Sequence, residues 1–241
     1  MMHLDKDPMG RAIADYHRNG KAARLRVLSP MLEEDEIPVK TLFRPLDQMP
    51  AIEQEALKAA SGHILDVGAG AGCHSLALQQ MGKQVTAIDI SPHSVATMSD
   101  RGVRDVRQQD FFTLDGPQFD TLLMLMNGIG IVGTLSRMDA FFAQVDRLLA
   151  PGGQLLCDSS DICYIYEDED GFIDLTGVEG YYGEMTYQMQ YKTVKGDPFP
   201  WLFIDADTLR EQAALHGFDM DIVIVGDHYD YLARLTRRSC G

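Results

Sequence analysis

Residues 63–90 read HILDVGAGAGCHSLALQQMGKQVTAIDI, and the fold turns on how this stretch is divided. HILDV is a short apolar run that breaks on Gly68, Gly70 and Gly72; CHSLALQQMG is amphipathic; KQVTAIDI is a second apolar run that ends at Asp89. Strand, glycine turn, helix and second strand make a βαβ unit, with the glycines at the edge where such sheets meet ligands. Glycines there take positive φ and let a nucleotide come close to the backbone. A carboxylate about 20 residues further on, at the end of the next strand, can accept both hydroxyls of a ribose.

The alternation continues outward. SPHSVATMSDRG opens on a Ser-Pro helix start, and RDVRQQD is a third strand that ends in Asp110 and is followed by Phe111. FDTLLMLMNG is a strongly apolar fourth strand. LSRMDAFFAQVDRLLAPGG is a helix with Phe141, Val145 and Leu148 on one stripe, and QLLCDSSD is a fifth strand. Residues 61–160 therefore call for a doubly wound, mostly parallel sheet with helices on both faces, a three-layer αβα sandwich.

Residues 1–60 read as a helical cap. RAIADYHRNGKAARLRVLSP suggests one or two short helices, EEDE (33–36) a solvated run, and IEQEALKAA a helix leading into the core. After residue 160 the period changes. Met185, Tyr187, Met189 and Tyr191 alternate with polar residues as in a half-buried antiparallel strand, and FPWLFID is its partner across a KGDP turn. Residues 161–204 are expected as a β-hairpin insert. Residues 205–241 are expected as a helix capped by Asp205 or Asp207 and two closing strands, MDIVIVGD and YDYLARLTR. All four segments belong to one domain of 241 residues.

At 45% hydrophobic and 24% charged residues, the chain has the composition of an ordinary globular protein. No apolar run approaches the roughly 18 residues of a membrane helix. MMHLDKDPMGRA has acids and no apolar h-region, so no signal peptide is expected, and the cytoplasm is the expected compartment. Cys73, Cys157, Cys163 and Cys240 form no CxxC pair and no zinc spacing with His; they are expected as reduced thiols, Cys240 exposed, with no metal. A net charge of −15 opposes polyanions, and Arg234, Arg237 and Arg238 are too small a basic cluster to reverse this, so nucleic acid is not an expected partner.

Taken in order, the motifs resemble one family. LDVGAGAGCHSL looks like motif I of the class I, Rossmann-like S-adenosylmethionine-dependent methyltransferases, and VTAIDISP like the acidic motif after their second strand. DFF resembles their third-strand motif, FDTLLMLMNGIG the fourth, and RLLAPGGQLL the passage from helix into strand five. The likeness runs over roughly residues 60–160. Cys73 stands where the dinucleotide fingerprint GxGxxG has its last glycine, which suits a ligand with no pyrophosphate. The resemblance implies a seven-stranded sheet with an antiparallel last strand, an N-terminal helical lid, and S-adenosyl-L-methionine as cofactor. The acceptor is expected to be a small molecule; monomer and homodimer both remain open.

Carried over by position, Gly68, Ala69, Gly70 and Gly72 would flank the methionine moiety, with Asp66 supporting the loop. Asp89 would hold the ribose, Ile90 would pack on the adenine, and Asp110 and Phe111 would bind it from the other side. Met126 and Asn127, ending strand four, would face the amino-acid end and the acceptor. Tyr16, Phe43 and Arg44 are the lid candidates for touching cofactor. Plainer readings stand beside these: Asp66 as a loop cap, Phe111 and Phe112 as core, His74 as a satisfied structural histidine.

No catalytic base is identified. Asn127, Asp158, Ser159, Asp161, Tyr164 and Tyr166 are the acceptor-side candidates. The tyrosine-rich insert, with Trp201 and the acids at 167–170, would suit a cationic acceptor, or be an ordinary hairpin covering the sheet. The alternatives are a non-catalytic S-adenosylmethionine-binding module and a NAD(P)-dependent Rossmann oxidoreductase, the latter disfavoured by the missing third glycine.

Overall fold

Chain order explains the architecture of the computed structural model, which describes residues 3–168 and 170–238. The lid begins with α1 (Pro8–Asn19), where Asp7 accepts the Gly10 amide and Gly20 closes the far end in the left-handed region. Then come β1 (Leu25–Leu28), β2 (Asp35–Ile37) and α2 (Ala51–Ala59). The alternating core follows: β3 (His63–Val67), α3 (Cys73–Gln80), β4 (Gln84–Asp89), α4 (Pro92–Asp100) and β5 (Val106–Gln108). It continues with β6 (Phe119–Met124), α5 (Met138–Leu148) and β7 (Leu149–Ser160). The last elements are β8 (Glu184–Tyr191), β9 (Val194–Lys195), β10 (Phe199–Leu202), α6 (Ala206–Leu215), β11 (Phe218–Val225) and β12 (Asp230–Arg237).

The main sheet has the seven expected strands in the order β11-β12-β7-β6-β3-β4-β5. β3 to β7 run parallel to one another, and β12 lies antiparallel between β7 and β11. The chain leaves β3 toward β4 and β5, then jumps back to β6 on the other side. The carboxyl ends of β3 and β6 therefore frame a topological switch point, the crevice where ligands bind in such sheets. Both faces are packed: Leu65, Leu122, Met124 and Leu155 pack in the layer of α5 and α6, and Ile64, Leu123 and Leu156 in the layer of α2 and α3. That double burial is why β6 reads as a continuous apolar run.

The lid is more than helical. β1 and β2, in stretches read as helix and solvated run, join the insert in a second, antiparallel sheet of order β10-β8-β1-β2. Leu25 pairs opposite Tyr191, which is wholly buried; its hydroxyl donates to Asp15 at 3.0 Å and accepts from the Ala23 amide at 3.2 Å. The acids at 34–36 are indeed exposed, but Glu34 and Glu36 are ordered against Arg26 and Arg24 across the ladder. β9 and β10 return along the other edge of β8, as the KGDP turn implied.

Cys73, Cys157 and Cys163 are unpaired, and Cys240 lies outside the described residues. Among the described residues no helix is long and apolar enough to cross a membrane.

Candidate active site

Three backbone ties build the glycine loop. The amides of Gly68 and Ala69 both donate to the Ile88 carbonyl, at 2.9 and 3.1 Å, and the Gly70 amide donates to Asp89 Oδ2 at 2.9 Å. Asp89 Oδ1 accepts the Ser91 amide at 2.8 Å, so this carboxylate is fixed from both sides at the end of β4. Gly68 and Gly72 are used differently. Gly68 has φ +69° and open space where a side chain would stand. Gly72 has φ +79°, and a Cβ there would lie 2.9 Å from Met98 and 3.0 Å from Val103. The first glycine keeps room for a ligand; the last lets α3 and α4 pack.

Asp66 faces inward. It is buried and accepts the Ser75 hydroxyl of α3 at 2.5 Å; burial pushes its carboxyl up, opposed by His74 and Ser75. Burial likewise raises Asp89, to about 6, against the Ser91 and Gly70 amides. Ile90 beside it is 42% exposed, a free apolar surface at the edge. Asp110 caps the short turn after β5 by accepting the Phe112 amide at 2.9 Å. Phe111 departs from expectation: its ring is buried, with centroids 5.4 Å from Phe112 and 5.9 Å from Phe141. Core packing takes that side chain away from the edge, so the ring forms no adenine wall. Phe112 carries the Arg137 guanidinium 4.7 Å above its ring.

Across the crevice the turn after β6 is strained. Met126 and Asn127 have φ of +63° and +55°, left-handed values that cost a residue with a side chain roughly 1–2 kcal/mol each. Asp158, at the end of β7, holds the turn by accepting the Met126 amide at 3.1 Å and the Gly128 amide at 3.3 Å. Burial pushes Asp158 up to about 7; Glu53 adds to this, and the Gly128 amide and His74 oppose it. Asn127 Nδ2 donates to the Leu202 carbonyl at 3.2 Å, which ties β10 to the ligand edge, while its Oδ1 is buried with no partner. Strain held by neighbouring structure concentrates where a fold does its chemistry.

The lid closes over this edge. Ile13 packs with Leu42 and Ala71, Tyr16 lies 4.6 Å from Phe43, and Arg101 sits over the Phe43 ring at 4.6 Å. Ser91 joins lid to core: its hydroxyl donates to Asp7 Oδ2 at 2.5 Å and caps α4 by accepting the Ser94 amide at 3.0 Å. A surface cleft lined by Asp120, Gln154, Asp221 and Arg234 lies at the opposite, amino edge of the main sheet.

Several acceptor-side candidates are occupied by structural bonds. Ser159 accepts the Ile204 amide, Asp161 accepts the Tyr182 hydroxyl at 2.8 Å, and Tyr166 donates to the Tyr182 carbonyl at 3.1 Å. Tyr164 differs: it is 45% exposed and stacks on Tyr229 with centroids 5.3 Å apart. Trp201 packs on Gly130, where any Cβ would strike the indole.

Sequence reasoning missed Glu53, which was read only as part of a helix. It pairs with Arg44 and lies 2.8 Å from His74 Nε2. The available signal was that Glu53 falls on the same stripe as Ala56 and Leu57, where an acid has to find a partner.

Known proteins agree with this geometry. A family described as a methyltransferase domain matches residues 65–157. An S-adenosylmethionine-dependent methyltransferase from Bacteroides fragilis, solved with S-adenosyl-L-homocysteine, is 55% identical over 98% of this chain and 97% of its own, with a TM-score of 0.93. This chain belongs to the S-adenosylmethionine-dependent methyltransferases.

Two further methyltransferase structures share the fold at identities that speak for the fold alone. The sugar N-methyltransferase KedS8 from a Streptoalloteichus species is 19% identical over 78% of this chain and 85% of its own, with a TM-score of 0.54. The CcbJ methyltransferase from Streptomyces caelestis is 13% identical over 98% of this chain and all of its own, with a TM-score of 0.61. No curated protein matches the chain. The cofactor of this methyltransferase is S-adenosyl-L-methionine, and the nicotinamide alternative falls away.

Proposed function

We propose that this methyltransferase transfers the cofactor's methyl group to a small molecule that enters between the carboxyl edge of the main sheet and the second sheet, and that it works in the cytoplasm. The carrying observation is the pair of under-satisfied acceptors at the β6 turn. Asp158 is a half-buried carboxylate bonded only to amides, and the buried Oδ1 of Asn127 beside it has no partner. An α-ammonium group fits that acceptor set, as a ribose fits Asp89 and a close-lying chain fits the space before Gly68.

Bound there, S-adenosylmethionine supplies a sulfonium-activated methyl carbon, so no covalent intermediate with the protein is needed. The protein's part is to hold and to exclude water. Gly68, Ala69 and Gly70 give close backbone approach, Asp89 takes the ribose hydroxyls, and Ile90 and Asp110 flank the adenine. Met126 and Asn127 present the strained turn to the reacting end, with Tyr16 in the lid above. Orientation in a closed, water-poor site supplies much of the rate in such a transfer. Asp158 is assigned to the turn, which its oxygens hold through two amides, and to the ammonium.

A cationic or amine acceptor is favoured by one observation: the exposed, stacked Tyr164–Tyr229 pair, which follows β7 and precedes β12, offers ring faces to solvent. Incubation with methyl-labelled S-adenosylmethionine and a panel of small amines, alcohols, thiols and acids tests the proposal. Label is expected in a small molecule, amines foremost. Label only in nucleic acid or protein, or in nothing while the cofactor binds, contradicts it, and the latter points to a non-catalytic binding module.

A further inference from the structure

Arg44, Glu53 and His74 form a buried ionic bracket that the methyl transfer itself does not use. Glu53 Oε1 pairs with Arg44 Nη2, and Glu53 Oε2 lies 2.8 Å from His74 Nε2. Their side chains are 11%, 6% and 6% exposed. Arg44 is held further by Nη1, which donates to the Thr41 carbonyl at 2.6 Å, while its Nε is buried without a partner. The three residues come from three walls of the site. Arg44 ends the lid turn that carries Phe43, Glu53 belongs to α2, and His74 is the second residue of α3, directly behind the glycine loop.

We propose that Glu53 is a positioning residue of the cofactor site: it locks Arg44 of the lid to His74 of the loop helix, so that lid closure and cofactor binding become one event. The proposal rests on the glycine-loop edge being where cofactor binds. A mechanical line then runs from Tyr16 through Phe43 and Arg44 to Glu53, His74 and the loop, continuous by packing, backbone and ion pair. Buried ion pairs are poor sources of stability compared with well-packed apolar groups, and their best-attested use is to fix one arrangement.

The groups facing His74 come from every neighbouring element: Glu53 from α2, Asp66 from β3, Asp158 from β7 and Cys73 from its own helix, with Arg44 on the far side of Glu53. Burial acts to lower the imidazole, but bonds to Cys73 and Glu53 outweigh it and hold His74 well above its ordinary value. Burial acts to raise Glu53, but His74 and Arg44 outweigh it and hold the carboxyl low. Each partner thus favours the charged form of the other.

The test is Glu53→Gln in the full chain, which keeps the shape and removes the charge. S-adenosyl-L-homocysteine is titrated calorimetrically from about pH 6 to about pH 8.5, with amide hydrogen exchange of residues 8–44 followed in parallel. In the wild type, affinity does not fall over the upper part of that range and ligand protects the lid amides. In the variant, affinity is expected to drop about tenfold or more, with the loss growing as pH rises, because His74 loses the carboxylate that favours its protonated form. The variant's lid amides are expected to stay unprotected even at saturation.

Wild-type affinity, pH profile and lid protection in Glu53→Gln overturn the proposal. Should Glu53→Gln not fold, Arg44→Lys decides: it keeps the charge but loses the fork. Weakened binding at an unchanged ligand-free melting temperature supports the bracket, and unchanged binding overturns it. Failure of the wild type to bind S-adenosyl-L-homocysteine at all removes the cofactor reading itself, a different outcome from either.

Discussion

Asp89 and Asp158 are carboxylates that the fold keeps from charging freely, at about 6 and about 7, chiefly through burial. Because these folded-state values lie above the ordinary carboxylate range, each group favours the folded state most at low pH. That contribution is lost as pH rises from about 4 through the folded values. A ligand ammonium beside Asp158 reverses the preference by favouring its charged form. Affinity for S-adenosyl-L-homocysteine should therefore rise with pH from about 5.5 to about 7.5 and then level. Asp158→Asn should bind more weakly at pH 8 and flatten much of that rise, and calorimetry across the range checks both. His74 has the same sign through a different cause, its partners rather than burial: its stability contribution is complete below about 6.5 and is lost only as pH climbs through its raised folded value. At this scale the glycine turn after β3 and Asp89 at the end of β4 were legible as neighbours from their spacing, and the structure joins them through the Gly70 amide. Phe111 and Glu53 were not, since whether an aromatic turns to the edge or the core, and which partner an acid on an apolar stripe finds, is settled by distant packing.

Between elements, the contact of α1 with α4 hangs on one glycine. A Cβ at Gly10 would meet the Ser91 hydroxyl and the Asp7 carboxylate, the pair that caps both helices. Gly10→Ala should therefore push the lid helix away, destabilise the fold by about 1–3 kcal/mol as overpacking does, and weaken cofactor binding at the same time. Thermal denaturation with and without S-adenosyl-L-homocysteine separates the effects: a larger loss of melting temperature with ligand than without marks the lid. The helices and core strands were readable from period and caps, such as the Ser-Pro start of α4. β1 was not, because a four-residue strand shows little alternation and its partner β8 lies far along the chain.

In the whole molecule, two sheets of unequal strength share the site. The main sheet is buried on both faces, and the second joins lid to insert through the buried Tyr191. Native-state hydrogen exchange should find the amides of β3 and β6 slowest and those of β1 and β2 opening well before global unfolding, with S-adenosyl-L-homocysteine slowing the latter. Equal protection of both sheets without ligand would show that the second sheet is not an independently opening unit. Five strands of the main sheet were legible from the alternation of residues 61–160 and the two closing strands from residues 205–241; the second sheet was not, since it is assembled from segments at opposite ends of the chain.

The central claim is that the edge built by Gly68, Gly70 and Asp89 holds S-adenosylmethionine. Calorimetric titration of the wild type and Asp89→Ala with S-adenosylmethionine, S-adenosyl-L-homocysteine and NADH tests it directly. Low-micromolar binding of the first two is expected, about −8 kcal/mol, with none of NADH and loss of both in the folded variant. Binding of NADH in preference, or undiminished binding by Asp89→Ala, would contradict it.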